Sequence, residues 1–291
     1  MESTSPFSPE RNLEPGLCTG CGVCVRVCPS SAIAADSSGH PRTFDAGACI
    51  GCAHCAAFCP ENAFGLDRKV SADFGAAGLE SLLAARRSIR TYSSRVPSRE
   101  DLQRLCETVL SRAPTGTNSC GLEVRMVGGA RLRGMVATAR RAARLLGYLG
   151  LRHLAGAMGM RKVMEGFLEG EDMIFRNAPV AAFVFSSRKS STGRDDGVIA
   201  ATLMSLAART MGMGTLWNGV ARILYRVLPG WRLPRTRGLR LSTVICLGYP
   251  ELNPLWQVPA RPYGLGFHGI GSDTPKTDQP SGKTTARGAI R

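Results

Sequence analysis

Aromatic residues make up only 6% of this 291-residue chain, and it has just four histidines, His40, His54, His153 and His268. So little histidine leaves no recognisable Ser-His-Asp arrangement and no zinc-protease motif. No stretch approaches the roughly 18 uncharged apolar residues of a membrane-spanning helix, which excludes a protein built on such spans. Residues Met1 to Gly16 are acidic and Pro/Ser-rich, with neither the basic start nor the apolar run of a signal peptide, so the expected location is the cytoplasm. Hydrophobic residues reach 44%, which excludes wholesale disorder, and the length allows about two domains.

What the chain does have is cysteine. Eight of its eleven fall between residues 18 and 59, a clustering that in a reducing compartment points to metal ligation and not to disulfides. Residues 18–33 read CTGCGVCVRVCPSSAI and residues 49–64 read CIGCAHCAAFCPENAF, a repeat with a period of 31 residues. Each copy is C-x2-C-x2-C-x3-C-P, the spacing of two-cluster bacterial ferredoxins. Three closely spaced thiolates wrap three corners of a cubane, and the fourth, turned away before proline, reaches the other cluster. The expected ligand sets are Cys18, Cys21, Cys24 and Cys59 for one 4Fe-4S cluster, and Cys49, Cys52, Cys55 and Cys28 for the second. Gly20, Gly22, Gly51, Ala53 and Ala56 are small enough to let backbone N–H groups approach cluster sulfur. The alternative is a zinc module, which more often shows two separated C-x2-C pairs.

Charge divides the chain as well. Residues 1–70 hold five Lys/Arg against seven Asp/Glu, whereas residues 71–291 hold 32 against 15, a net of −2 beside a net of +17. In the basic part, apolar periodicity predicts helices over 78–87, 98–112, 199–211 and 220–228, the second opened by Ser98 with Asp101 three residues on. Short apolar runs predict strands over 122–127, 179–185 and 242–247. Helices alternating with a few strands imply an α+β or α/β fold. Residues 131–168 mix arginines with leucines and fit a helical pair with one basic face. That face could be solvated, could dock an acidic electron donor, or could bind a membrane surface or nucleic acid.

Four landmarks in residues 80–265 resemble the FMN-dependent nitroreductase family. Arg86-Arg87-Ser88-Ile89-Arg90 is similar to the family's R-R-S-x-R segment. By that resemblance Arg86, Arg87, Ser88 and Arg90 contact the flavin phosphate and ribityl chain, and guanidinium groups suit a phosphate. Ala113-Pro114-Thr115-Gly116-Thr117-Asn118 resembles the A-P-S-x-x-N turn. The resemblance implies that Asn118 reaches the isoalloxazine or ribityl region and that Thr115 replaces the usual serine. The chain then departs from the family's Gln-Pro-Trp with Ser119-Cys120-Gly121. The segment from Asp195 to Gly219 resembles the family's long core helix and glycine-rich turn, which makes Gly214, Thr215, Leu216 and Trp217 cofactor-binding candidates. After the run Val244 to Pro250, Arg261 is the candidate for a last phosphate contact.

The expected architecture is therefore a flexible lead over 1–15, a two-cluster ferredoxin-like domain over 16–70, a nitroreductase-like FMN domain over 76–268, and a disordered Ser/Thr/Pro/Gly-rich tail over 269–291. The resemblance implies a homodimeric FMN oxidoreductase that passes electrons from two 4Fe-4S clusters to FMN. They would go on to a small electrophile, most simply a nitro compound, with ene-reduction and reductive dehalogenation as alternatives within the family. Reduced ferredoxin, flavodoxin or an NAD(P)H-linked electron donor would supply the electrons. A non-catalytic carrier or redox sensor is a second reading, and a zinc-stabilised nucleic-acid binder a third.

Overall fold

The structure is a computed structural model that describes residues 9–66, 75–148, 166 and 169–253. All of these lie within one compact unit, Met1–Gln257. The proposed tail, Arg261 and, in the basic region, residues 149–165, 167 and 168 lie outside the described residues.

The cysteine-rich head contains the short helices α1 (Pro9–Asn12), α2 (Val23–Arg26) and α3 (His54–Ala57) and a hairpin of β1 (Ile33–Ala35) with β2 (Pro41–Phe44). The 31-residue repeat recurs in the backbone. α2 and α3 are one period apart, and so are the left-handed residues Gly20 and Gly51, Gly22 and Ala53, Ser31 and Asn62. Glycine at 20, 22 and 51 thus answers a conformational need, since a positive φ opposes a Cβ. Of the residues expected to form a flexible lead, Leu13 packs on the head's core and the Glu14 N–H donates to the Ala63 carbonyl, while residues 1–8 lie outside the described residues.

The larger part contains α4 (Ala76–Ala85), α5 (Arg99–Leu110), β3 (Leu122–Gly128), α6 (Gly129–Tyr148), β4 (Val180–Ser187), α7 (Gly193–Thr210), β5 (Gly214–Trp217), α8 (Gly219–Val227) and β6 (Leu239–Gly248). The strands form one antiparallel sheet in the order β3-β4-β6-β5. Alternate residues of β4 explain its unbroken apolar run. Ala181, Phe183 and Phe185 enter a core with α6 and α8, while Val180, Ala182 and Val184 enter one with α5 and α7. A strand covered on both faces needs apolar side chains on both. Trp231, fully buried in the first core, donates its indole N–H to the Met135 carbonyl at 2.9 Å.

Ser98 caps α5 by accepting from the Asp101 N–H at 3.0 Å. Two expectations are corrected. The glycine-rich turn after α7 is a strand, β5, because pairing with β6 satisfies its backbone. The Arg86 segment does not continue α4, which ends at Ala85; the Ile89 N–H pairs with the Thr215 carbonyl instead. The basic helix α6 buries Leu132, Met135, Val136 and Ala139. Its Arg131 donates to the Gly230 and Arg232 carbonyls and its Arg140 to those of Gly170 and Glu171, so part of its charge braces loops. Among the described residues no helix is long and apolar enough to cross a membrane.

Helix α7 lies against β6 at Gly197, where a Cβ would run into the Ser242 side chain. Helix propensity favours alanine there by about 1 kcal/mol, whereas overpacking costs roughly 1–3 kcal/mol. Gly197→Ala is therefore expected to lower stability by up to about 2 kcal/mol in denaturant unfolding, and not to raise it as propensity alone dictates.

Candidate functional site

The head brings its thiols together. Cys18, Cys21, Cys24 and Cys59 line one cavity with Leu13, Pro41 and Phe64, and the fourth of these cysteines lies in the other copy of the repeat. Cys24 and Cys55 are buried at the head's centre. Burial pushes the Cys55 thiol up to about 11, with Cys52, Cys24 and Cys49 adding to the shift. Burial likewise raises Cys24, partly offset by the Val25 N–H, and Cys18 and Cys21 push it further. Cys28 goes the other way. Burial alone would raise it, but the N–H groups of Ala32, Ser30 and Ile33 and the Ser30 hydroxyl outweigh that and hold it below its ordinary value. The Ala32 and Ala63 N–H groups donate to the sulfurs of Cys28 and Cys59 at 3.2 and 3.3 Å, again one period apart.

Crowded, partly buried thiols resist ionisation together unless positive charge stands among them, which is what iron supplies. Among the described residues no three Cys, His, Asp or Glu side chains converge as the ligands of a single metal ion would. The thiols of Cys18, Cys21, Cys24 and Cys59 line a shared cavity. The donor set and its N–H contacts to sulfur fit iron–sulfur clusters.

In the larger part, Arg86, Arg87, Ile89, Gly214 and Thr215 line one groove with Ser205 and Arg209 from α7. Two of the landmarks therefore meet, joined by the Ser88–Thr215 bridge and the 3.0 Å bond from the Ile89 N–H to the Thr215 carbonyl. Gly214 must be glycine here, because a Cβ would strike Ile89. The Tyr92 hydroxyl donates to the Ile89 carbonyl at 3.0 Å and pins the segment further. Arg90 lies outside this groove and donates to the Ser88 carbonyl at 3.3 Å. The guanidinium groups of Arg86, Arg87 and Arg209 suit an anionic group such as a phosphate. Arg209 was not among the sequence candidates; its place in the last turn of a long helix reads as dipole complementation, and only the fold brings it beside Arg86. Leu216 and Trp217 pack on the two cores on opposite faces of the sheet, so as side chains they belong to the interior.

The Thr115–Asn118 turn lies elsewhere. It precedes β3, whose first residue pairs with Ser186 at the far end of β4, whereas Gly214 pairs with Gly248 at the other end of the sheet and its other edge. Asp196 in the first turn of α7 holds it: this buried carboxylate accepts from the Gly116 N–H and from the Ser190 and Thr192 hydroxyls. Asp196 and Arg209 thus mark the two sites on one helix. At 1.5 Å per residue they are about 20 Å apart. Both faces of the intervening sheet are covered by helices.

The turn itself is strained, with Thr117, Asn118 and Cys120 all left-handed at φ 51°, 53° and 46°. The Thr115 hydroxyl accepts from the Cys120 N–H at 3.0 Å and closes it. Asn118 Nδ2 donates at 2.9 Å to the carbonyl of Ile50, between Cys49 and Gly51 of the head. A cleft of about 520 Å³ beside α6, lined by Leu132, Val136, Arg133, Arg140, Asp172 and Pro179, is a separate feature.

The model of the nitroreductase family matches residues 83–249, and that of the 4Fe-4S dicluster domain matches residues 17–64. No curated protein matches the chain. Among solved structures, a nitroreductase with bound FMN from Bacteroides fragilis NCTC 9343 is 20% identical with a TM-score of 0.50, over 65% of this chain and 97% of that one. A variant of an FMN- and NADPH-dependent nitroreductase from sphigopyxis sp. strain HMH is 19% identical with a TM-score of 0.51, over 66% of this chain and 99% of that one. At these identities the likeness is one of fold.

Removing the Asp196 carboxylate leaves three donors without their acceptor. Asp196→Ala is expected to cost about 2–3 kcal/mol in denaturant unfolding and to speed amide exchange across residues 115–121. Asp196→Asn, which keeps one acceptor oxygen, should fall between the two.

Proposed function

Since the chain belongs to the nitroreductase family and carries a 4Fe-4S dicluster domain ahead of the family's fold, we propose that it is an iron–sulfur flavoprotein oxidoreductase. It takes single electrons from a donor protein and reduces a small electrophile, in the first instance a nitro compound. Cys18, Cys21, Cys24 and Cys59 hold one 4Fe-4S cluster and Cys49, Cys52, Cys55 and Cys28 the other. FMN supplies the conversion between single-electron and hydride transfer.

The observation that carries the reading is the Asn118–Ile50 hydrogen bond. It fastens the thiol-rich loop to the turn that resembles the family's flavin-binding turn, where a carrier joined to an unrelated module has no reason to place it. Arg86, Arg87 and Arg209 oppose the phosphate charge, with Ser88 and Arg90 beside them and Arg261 as a further candidate. Asp196 keeps the Asn118 turn in its strained form. The donor is a reduced ferredoxin or flavodoxin, with an NAD(P)H-linked electron donor as the alternative, and complementary charge on the basic larger part would speed a protein donor's encounter. A reducing cytoplasm suits eight unpaired thiols.

The distance between the Arg86 groove and the Asn118 turn supports a homodimer. One chain cannot lay both against a single flavin, because about 20 Å of helix-covered sheet stands between them. Two copies can: the groove of one then faces the turn of its partner, and each of two flavins lies between the chains.

Anaerobically purified protein is expected to contain about eight irons and one FMN per chain, and the reduced flavin should be reoxidised by a nitroaromatic. Clusters without flavin would overturn the enzyme reading in favour of an electron carrier. Arg86→Ala is expected to weaken FMN retention roughly 10- to 100-fold, the loss of one charge-assisted hydrogen bond, measured by equilibrium release of the flavin.

A further inference from the structure

We propose that the wiring is crossed: the head of each chain serves the flavin whose phosphate is held by the other chain's Arg86 groove. The inference rests on the two-chain flavin site described above and adds to it which head belongs to which site. Two observations within one chain carry it. Ile50, in the loop of Cys49 and Cys52, accepts from Asn118 of its own chain. The Arg86 groove of that same chain is at the opposite end of α7 and at the opposite edge of the sheet. The head therefore sits at the corner that reaches into the partner's flavin, away from its own chain's phosphate groove.

The strain supports the same assignment. Three left-handed residues within four positions, none of them glycine, are held by the Asp196 anchor behind the turn. A backbone kept in an unfavourable conformation by its surroundings marks a place where geometry matters more than stability. What that conformation achieves here is to aim the Asn118 amide at the cysteine loop. By the same contact the second set, Cys49, Cys52, Cys55 and Cys28, is the nearer to the flavin and the first set the nearer to the donor.

The electron count is consistent with one head for each flavin. Each reduced cubane gives up one electron and returns to its oxidised state. Two such transfers, with two protons from water, complete the two-electron reduction of one FMN. A low-potential one-electron donor protein restores the clusters, and the electrophile takes the electron pair from the flavin.

Mixed dimers test this, made by co-expressing two differently tagged chains. The first pairs a chain carrying Cys49→Ser and Cys52→Ser with a chain carrying Arg86→Ala and Arg90→Ala. The second pairs an unaltered chain with one carrying all four substitutions. Released-flavin assays should find one FMN per dimer in both. Reduced bacterial ferredoxin is then added, and bleaching of flavin absorbance is followed against a dimer whose two chains both carry the cysteine substitutions.

Crossed wiring predicts that the first dimer bleaches at the rate of the unaltered protein and the second only at the background rate. The reverse pattern, or equal rates in the two, would overturn the proposal. Iron assays confirm that the intact head of each dimer keeps its clusters. A monomer by light scattering would instead overturn the two-chain site itself, and two flavins retained in the mixed dimers would overturn the assignment of the phosphate to the Arg86 groove. Amide exchange gives a further check: Asn118→Ala should deprotect residues 49–52, and unchanged protection there would remove the contact on which the inference stands.

Discussion

A helix packed rigidly along a sheet keeps its two ends a fixed distance apart, and in this protein the chemistry is arranged around that distance. α7 presses Gly197 onto Ser242 and threads its small residues Ala200, Ala201 and Ala208 into the core, so it can neither slide nor lift. At one end Asp196 grips the strained turn, and at the other Arg209 faces the Arg86 groove. Close packing transmits such geometry with little slack. The separation follows from the length of a helix whose inner face is packed along the sheet, and the flavin site must accommodate it.

The head is organised on a different principle. Its interior is small: Cys24, Ile33, Cys55, Ala56 and Phe64 form its packed apolar cluster, and two of the five are thiols. So small an apolar core contributes little stability on its own. Iron binding and folding are coupled in such a module, because the ligands must lose protons and come together at once. The matched backbone of the two repeats, with left-handed residues at equivalent places and N–H groups directed at equivalent sulfurs, gives both clusters nearly the same surroundings. One difference between them lies outside the repeat, in Asn118 resting on the Ile50 loop.

Much of this was legible in the sequence. The cysteine period carried the head, because ligand spacing is a local property of the chain. The Ser98 cap and the apolar runs of β3, β4 and β6 followed from capping and burial patterns. β5 was not legible, since Gly214-Thr215-Leu216-Trp217 follows Met-Gly-Met and resembles a turn; only pairing with β6 makes it a strand. The same holds for Leu216 and Trp217, whose side chains are set by which face of the sheet they meet. Arg209 and Asp196 carry no signal of their own in one sequence. Their roles depend on partners more than 75 residues away, and the Asn118–Ile50 bond spans 68. Contacts of that range are written by topology and not by local pattern.

The form of that last bond has an evolutionary consequence. On the head's side the acceptor is a backbone carbonyl, which every amino acid offers alike. Drift at position 50 therefore leaves the joint intact as long as the loop keeps its path, and its path is fixed by the cysteines on either side. The larger part, by contrast, contributes a specific amide in an unfavourable backbone state. Heads of different sequence could be exchanged onto this body without redesigning the joint, while the body could not be exchanged so freely.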